Sequence, residues 1–262
     1  MDYTDLLYTS AGGVATIAIN RPDRYNAFRL KTVEELIHAF EAADAEVDVG
    51  VIVLTGTGDK AFCTGGDVAG EAEFTPHNAW MFNRRLLNLS TIMRNTGKPI
   101  IARINGWCVG GGNELNMLCD LSIASDRAKF GQAGSRVGSV PIWYGTQMLP
   151  RVVGEKRARE IVMLCHNYSS ADAERMGWIN RVVAHEQLDE AVAEWCGELL
   201  QKSPTALLIA KLSLNFDSDT LYPSVVHGFR LLNLGLHGSP EQKEGMKAFL
   251  EKRKPDFQPF RW

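Results

Sequence analysis

Two short glycine-rich stretches carry the residues best suited to chemistry in this chain of 262 residues. One is FCTGGD, which ends at Asp67, and the other is GWCVGGGNELNMLCD at 106–120, where the carboxylate of Glu114 follows three glycines. Glycine leaves backbone N–H groups uncovered, and N–H groups at a helix start also feel the positive end of the helix dipole. Two such loops facing one another could each donate one N–H to a single oxygen atom, as in an oxyanion hole.

These glycines could instead serve nucleotide binding or close packing. Neither stretch contains GxGxxG or the GxxxxGK[ST] sequence of a P-loop, so a nucleotide phosphate site is not indicated. One glycine-rich loop alone is better explained by close packing of backbones. An acid in a first helical turn also stabilises the helix dipole, by about 0.3–1 kcal/mol. Here the same context, a buried strand followed by small residues and then a helix, occurs twice. This repetition favours a functional role for the glycines over a packing role.

The elements that would position these loops alternate between strand and helix. Apolar runs predict strands at 13–20, at 49–56 and within PIIARING and DLSIAS, and apolar spacings of three and four predict helices at 32–46 and about 78–94. This alternation predicts an α/β layered fold. From about 145 the sequence is mostly helix-like, and we place a soft boundary near 198, between a core at 1–198 and a helical C-terminal region at 199–262.

Composition argues against several classes of protein. A net charge of −3 gives no basic surface for nucleic acid or an anionic membrane. The longest apolar runs are strand-sized, and the N-terminal MDYTDLLYTS lacks the pattern of a signal peptide. Five cysteines without CxxC spacing argue against a disulfide framework or structural zinc. We therefore expect a cytoplasmic protein with no metal, no nucleic-acid partner and no membrane association.

Taken in order, these motifs resemble those of the crotonase (enoyl-CoA hydratase/isomerase) superfamily. FCTGGD and GGGNEL occur together with NRPDRYNAF and FGQAGSRVGSVPIWYGTQMLPRVVG, and the similarity runs over essentially the whole chain. The resemblance implies a spiral of ββα units, a C-terminal helical region that forms trimers or dimers of trimers, and acyl-CoA substrates with no separate cofactor. It also implies that the N–H groups of Gly66 and Gly111 hold the thioester oxygen and stabilise an enolate, each worth about 3 kcal/mol.

One carboxylate of the family's hydratases is missing. These enzymes add water to a double bond with two acids, of which the first matches Glu114. The second would follow Phe130 by four residues, where this chain has Gly134. Two-carboxylate catalysis needs both groups within hydrogen-bond reach of one water, so simple hydration lacks its usual second acid here.

The combination of FCTGGD, FGQxG and GS resembles a narrower branch more closely. This branch contains 1,4-dihydroxy-2-naphthoyl-CoA synthase and two hydrolases that open the rings of 2-ketocyclohexanecarboxyl-CoA and 6-oxocyclohex-1-ene-1-carbonyl-CoA. Where this chain has Pro141 and His237, the synthase has an aspartate and a tyrosine, and it has no acid at the position of Glu114. The hydrolase that acts on 6-oxocyclohex-1-ene-1-carbonyl-CoA keeps that acid. The resemblance favours ring-opening hydrolysis. The alternatives are an enoyl-CoA hydratase or isomerase, a Claisen-type synthase and a non-catalytic scaffold.

Three side chains are candidates for catalysis. Glu114 would act as a base or activate water, since burial could raise the pKa of its carboxyl. Ser139 could bond a β-keto oxygen or position water, although a turn serine can equally cap the backbone. His237 titrates near neutrality and could be a general acid or base, although LGLHGSP is also typical of a helix end.

The resemblance implies further binding residues. Arg24, Asn26 and Ala27 match the segment that curls around coenzyme A. Asp67, Lys252 and Lys254 could also contact coenzyme A, although Asp67 could instead fix its loop through backbone hydrogen bonds and a basic C-terminal run is usually just solvated. The expected substrate pocket includes Gly134 and His77, with Trp143 and Tyr144 stacking on a ring or, equally well, packing in the core.

Overall fold

The protein is described here by a computed structural model of residues 2–261. Its strands are β1 (Leu6–Ala11), β2 (Val14–Ile19), β3 (Val51–Gly56), β4 (Ala61–Cys63), β5 (Ile100–Ile104), β6 (Trp107–Val109), β7 (Leu121–Ser125), β8 (Lys129–Gly131), β9 (Asn167–Ser169) and β10 (Arg181–Val183). Its α-helices are α1 (Leu30–Ala45), α2 (Val68–Glu71), α3 (Pro76–Asn95), α4 (Gly111–Leu118), α5 (Gly145–Val153), α6 (Glu155–Leu164), α7 (Ser170–Arg175), α8 (Leu188–Leu200), α9 (Pro204–Asp219), α10 (Tyr222–Gly235) and α11 (Pro240–Leu250). Within the described range, no helix is both long and apolar enough to cross a membrane.

The strands form two mixed sheets. The larger has the order β1-β2-β3-β5-β7-β10, with β1 antiparallel to β2 and the other neighbours parallel. The smaller has the order β4-β6-β8-β9, with only the β8–β9 pair antiparallel. Successive segments place one strand in each sheet and then a helix. The expected α/β fold, a spiral of ββα units followed by C-terminal helices, is confirmed.

The strand β3 shows why a continuous apolar run was needed in the larger sheet. All six of its residues are buried. Ile52 and Leu54 belong to the main core, whereas Val51 and Val53 belong to a second cluster covered by α8. Because successive side chains of a strand point to opposite faces, a sheet covered on both faces favours an unbroken apolar run such as 51–54.

The smaller sheet sets the position of the glycine loops. Cys63 of β4 pairs with Cys108 of β6 in a parallel register, and Val109 of β6 pairs with Gly131 of β8. The carboxyl ends of these three strands therefore lie at one edge of the sheet. The loops that follow them contain Gly65 and Gly66 after β4, Gly110 after β6 and Gly134 after β8.

The C-terminal helices pack back on the core. Position 198 falls inside α8, which contacts β3, β5 and β7, so the break between helices comes between α8 and α9. The helix α10 contacts α3, and α11 contacts α2. The C-terminal region therefore covers the edge of the smaller sheet where the glycine loops meet.

Candidate active site

A cavity of about 940 Å³ lies between the three glycine loops, α3 and the C-terminal helices. Its apolar wall includes Phe28, Phe74, Phe82, Leu86, Trp143 and Phe229. Its polar lining includes Glu71, Glu114, Gln132, Ser139 and His237. A largely apolar cleft with a few converging polar groups is the usual form of a small-molecule site.

The first two glycine loops touch each other. Gly65 has a φ of +88°, and a Cβ there would lie 2.7 Å from the backbone nitrogen of Gly111. A Cβ on Gly112 would lie 2.0 Å from the carbonyl oxygen of Cys63. Gly66 and Gly111 both line the cavity, and neither N–H donates to a backbone acceptor in the described part of the chain. Two free donors on adjoining loops can hold one oxygen between them.

Glu114 stands beside these donors in the first turn of α4, and only 6% of the residue is exposed. Burial raises the pKa of its carboxyl to about 8, and the charge of Glu71 adds to this rise. The backbone N–H groups of Trp143 and Gly145 oppose the rise without cancelling it. The Oε1 atom of Glu114 is buried and has no hydrogen-bond partner among residues 2–261. The carboxyl can therefore hold or release a proton near neutral pH.

The loop after β8 leaves no room for a second acid at position 134. Gly134 opens a 3-10 turn, and its carbonyl accepts a hydrogen bond from the N–H of Ser139 at 2.8 Å. A Cβ at this position would lie 2.9 Å from the Ser139 carbonyl oxygen and 3.1 Å from the Pro141 ring. The loop closes on itself where the family's hydratases carry a glutamate. Ser139 itself is half-buried and lines the cavity.

His237 lines the cavity from the turn after α10, and its tautomer follows from its neighbours. The Gln242 Oε1 accepts a hydrogen bond from the Gly238 N–H at 2.7 Å. The Gln242 amide nitrogen therefore donates to Nδ1 of His237, at 3.1 Å, and the neutral ring carries its proton on Nε2. That Nε2 is buried and unpartnered within the described residues. Burial lowers the pKa of the imidazole, which keeps it neutral and leaves one donor available to a ligand.

Two of the expected pocket residues lie elsewhere. Trp143 does line the cavity, with its ring edge-on to Phe28 at 6.1 Å. Tyr144 is buried but is absent from the lining, and its ring faces the Arg94 guanidinium at 5.4 Å. His77 is exposed in the first turn of α3, away from the cavity lining.

The residues expected to bind coenzyme A also separate into two groups. Arg24, Ala27 and Lys252 line the cavity, with Arg24 and Lys252 exposed at its rim. Asn26 is fully buried, and its amide donates to the carbonyl oxygens of Thr57 and Ala61 at 3.0 and 2.7 Å. Asn26 thus fixes the loop rather than facing a ligand.

Of the remaining two residues expected to bind coenzyme A, Asp67 lines the cavity and Lys254 does not. Asp67 lines the cavity and forms an ion pair with Arg21 at 2.8 Å, which holds the first glycine loop against the segment before α1. Lys254 is exposed and absent from the lining. Its neighbour Arg253 is occupied by ion pairs with Glu244 and Glu251.

Sequence reasoning missed three polar residues of the cavity. Gln132 is 2% exposed, and neither polar atom of its amide has a partner in the described structure. Asn83 is also buried, on the apolar face of α3, where a polar residue within the apolar stripe was a detectable signal. Glu71 had no such signal, because its helix α2 is only four residues long.

Comparison with known proteins agrees with this geometry. The family model for enoyl-CoA hydratase/isomerase matches residues 9–259. An enoyl-CoA hydratase subunit I from Geobacillus kaustophilus HTA426 is 36% identical with a TM-score of 0.79, the match covering 98% of this chain and 99% of that one. An enoyl-CoA hydratase from Bacillus anthracis is 28% identical, with a TM-score of 0.79 and coverages of 97% and 98%.

A third similarity concerns the fold alone. An enoyl-CoA hydratase from Mycobacterium avium subsp. paratuberculosis K-10 has a TM-score of 0.89 at 24% identity, covering 98% of this chain and 99% of that one. The match to the family model covers nearly the whole chain, and the Geobacillus protein is similar over its full length. The chain therefore belongs to the enoyl-CoA hydratase/isomerase family, within the crotonase superfamily.

Proposed function

We propose that this protein is an acyl-CoA enzyme that stabilises a thioester enolate between the N–H groups of Gly66 and Gly111. The observation that carries the proposal is the position of Glu114, a buried carboxyl whose pKa is raised to about 8. It lies beside two backbone donors that have no backbone acceptor in the described part of the chain. Polarising a thioester carbonyl acidifies its α-carbon, and a nearby carboxyl can then transfer the proton. Arg24 and Lys252 at the rim supply positive charge for the phosphates of coenzyme A.

The reaction we propose is the hydrolytic opening of an alicyclic β-keto acyl-CoA, which for an enoyl substrate is coupled to a preceding addition of water across the double bond. The carboxylate of Glu114 takes a proton from water, and the hydroxide adds to the ring ketone carbon. The bond from that carbon to the α-carbon breaks, and its electron pair moves onto the thioester oxygen at the two glycines. The α-carbon then takes up a proton, which gives a linear acyl-CoA with a new carboxylate.

The cavity supports this choice of substrate in two ways. The Nε2–H of His237 is a buried donor without a protein partner among the described residues, and together with the Ser139 hydroxyl it can bond the ketone oxygen. The aromatic rings of Phe28, Phe82 and Trp143 form a wall suited to a six-membered ring.

Enoyl-CoA hydration is the second candidate. It is favoured by the comparisons, since the Geobacillus and Bacillus proteins described above are enoyl-CoA hydratases. The proton transfers are the same in both reactions: hydroxide adds to an electrophilic carbon, and the α-carbon of the enolate takes a proton. The two reactions differ in whether a C–C bond breaks.

The test is to incubate the protein with crotonyl-CoA, 2-ketocyclohexanecarboxyl-CoA and 6-oxocyclohex-1-ene-1-carbonyl-CoA and to follow the products by mass spectrometry. Methyl esterification distinguishes the outcomes, because only ring opening creates a free carboxylate. A new carboxylate with a gain of one water, or of two waters for the 6-oxocyclohex-1-ene substrate, supports hydrolysis, and turnover of crotonyl-CoA alone supports hydration. Full turnover by Glu114→Gln would contradict the assigned role of Glu114 in either reaction.

We also propose that the protein is a homo-oligomer, a trimer or a dimer of trimers. Large apolar side chains on α9 and α10 are exposed in the single chain, among them Leu214, Phe216 and Leu234 at 81%, 75% and 86%. Such a surface is typical of a protein–protein interface. Sedimentation equilibrium would measure the assembly, and a monomer at micromolar concentration would contradict it.

A further inference from the structure

Glu71 places a second carboxylate inside the candidate site. It is the last residue of α2, the short helix that follows the first glycine loop, and it lines the cavity. Its Oε1 atom lies 1.7 Å from the point that a Cβ on Gly66 would occupy. The carboxyl therefore rests directly against the backbone of a residue that we assign to the oxyanion hole.

Within residues 2–261, the carboxyl of Glu71 has no counter-charge at ion-pair distance. Among the ion pairs of the described residues none involves Glu71, whereas its neighbour Asp67 is paired with Arg21 at 2.8 Å. Burial raises the pKa of Glu71 to about 7, and the negative charge of Asp67 adds to the rise. Glu71 is also close enough to Glu114 for its charge to raise the pKa of that carboxyl. The cavity thus holds two interacting acids that titrate near neutrality.

The position of Glu71 restricts the charge that it can carry during the reaction. An ionised carboxylate against Gly66 would repel the negative charge that develops on the thioester oxygen in a water-poor site. Near neutral pH the two acids share protons, and although Glu114 has the higher pKa in the free protein, negative charge developing at Gly66 favours the arrangement with the proton on Glu71. A protonated Glu71 avoids the repulsion and carries a proton inside the cavity where the α-carbon must receive one. The loop at Gly134 cannot supply that proton, because it closes on itself without a side chain.

We propose that Glu71 is the second acid of this site and performs the proton transfer at the α-carbon that Gly134 cannot perform. The inference rests on the proposed acyl-CoA function and holds for both candidate reactions. Glu114 takes a proton from water, the hydroxide adds to the electrophilic carbon, and the electron pair moves onto the thioester oxygen. The enolate collapses as its α-carbon takes the proton of Glu71. Transfer of the proton on Glu114 to Glu71 through solvent restores both groups, so that the net change is the addition of one water.

The opposing view is that Glu71 only blocks the oxyanion hole of the free protein and moves away when a thioester binds. The two views differ in what Glu71→Gln does. Loss of an essential acid slows proton transfer and leaves binding nearly unchanged. Loss of a blocking charge strengthens binding and leaves proton transfer as fast as before or faster.

Exchange of the α-protons of butyryl-CoA for deuterium in D2O separates these outcomes, because it requires the enolate but no addition of water. We expect wild-type protein to catalyse exchange, and Glu71→Gln to slow it by about 100-fold or more, the usual scale for one general acid–base group. Glu71→Asp, which keeps the acid on a shorter side chain, should recover part of the rate. Glu73→Gln is the matched control, since Glu73 is exposed and does not line the cavity.

Calorimetric titration with butyryl-CoA and thermal unfolding verify that the Glu71→Gln protein is folded and binds. Exchange by this variant at the wild-type rate, or faster exchange with tighter binding, would overturn the role of Glu71 and leave the proposed function intact. No exchange by wild-type protein would overturn the proposed function itself, and the inference with it. Slow exchange combined with unchanged binding supports Glu71 as the acid.

Discussion

The burial of Glu114 should make the stability of the fold depend on pH, and Glu114→Gln isolates that dependence. Burial raises the pKa of this carboxyl from 4.5 to about 8. A carboxyl with a higher pKa in the folded chain binds its proton more tightly there. The protonated carboxyl therefore contributes its full stabilisation of the fold below pH 4.5, and this stabilisation is lost as the pH rises through 8. At about 1.4 kcal/mol per pKa unit, the loss reaches about 5 kcal/mol above pH 8.

Glutamine has nearly the same shape as glutamic acid and does not ionise, so the variant should escape this loss. The wild type has lost about 2 kcal/mol of the contribution at pH 6 and about 5 kcal/mol at pH 9. The free energy of unfolding of Glu114→Gln, relative to wild type, should therefore rise by about 3 kcal/mol between these two pH values. Urea unfolding followed by circular dichroism, at one protein concentration, measures this difference. Glu190→Gln, at an exposed position of α8, is the control.

Two results would refute the reasoning. If Glu114→Gln and wild type differed by the same amount at pH 6 and pH 9, the Glu114 carboxylate would be solvated in the folded protein and no buried acid would exist. If the variant lost stability relative to wild type as the pH rose, the backbone N–H groups of Trp143 and Gly145 would bind the carboxylate strongly enough to outweigh burial.

Three further substitutions test the construction of the site. Gly134→Ala should lower the free energy of unfolding by about 1–3 kcal/mol in urea unfolding, because its Cβ would lie 2.9 Å from the Ser139 carbonyl oxygen; an unchanged stability would mean that the loop opens easily. Gly111→Ala should lower kcat/KM about 10²–10³-fold on whichever acyl-CoA is turned over, because it disturbs one oxyanion donor, and a smaller loss than tenfold would argue against that role. Gln242→Leu removes the amide that donates to Nδ1 of His237, so the neutral ring should lose its fixed Nε2–H tautomer in ¹⁵N NMR spectra, whereas unchanged ring-nitrogen shifts would mean that the bond is not formed.

The long elements could be predicted from sequence because each spans several periods of its own pattern. The helix predicted at 32–46 is observed at Leu30–Ala45, and the one predicted at 78–94 at Pro76–Asn95. The three-residue strands β4, β6 and β8 escaped prediction, because a segment of that length has no measurable periodicity. Yet these strands bring the glycine loops together. The meeting of the loops could be expected only from their repeated context and from the family resemblance.

Individual side chains were harder to place than loops, because a motif match does not fix where a side chain points. Asn26 lies in the matched segment, but its amide bonds two backbone carbonyls instead of a ligand. Tyr144 follows a cavity residue, but its positive φ of 64° turns it towards Arg94. Glu71 stands in a polar stretch that resembles solvated surface. Its carboxyl lies in the cavity against Gly66, on a short helix that is contacted by α11, far along the chain.

The inferred role of Glu71 also accounts for how the site can lack its usual second acid and remain competent. Addition of water to an enolate-forming thioester requires a proton donor near the α-carbon, but it does not require that donor to come from a particular loop. Three parallel strands end at one edge of the smaller sheet, so any of three loops can reach the reacting atoms. In this chain the loop after β8 is closed by its own backbone at Gly134. The loop after β4 continues into α2, which the C-terminal helix α11 holds over the cavity with Glu71 facing the oxyanion glycines. The C-terminal region would then shape the chemistry as well as cover it, and a change in α11 that loosened its contact with α2 would impair proton exchange without touching Glu114.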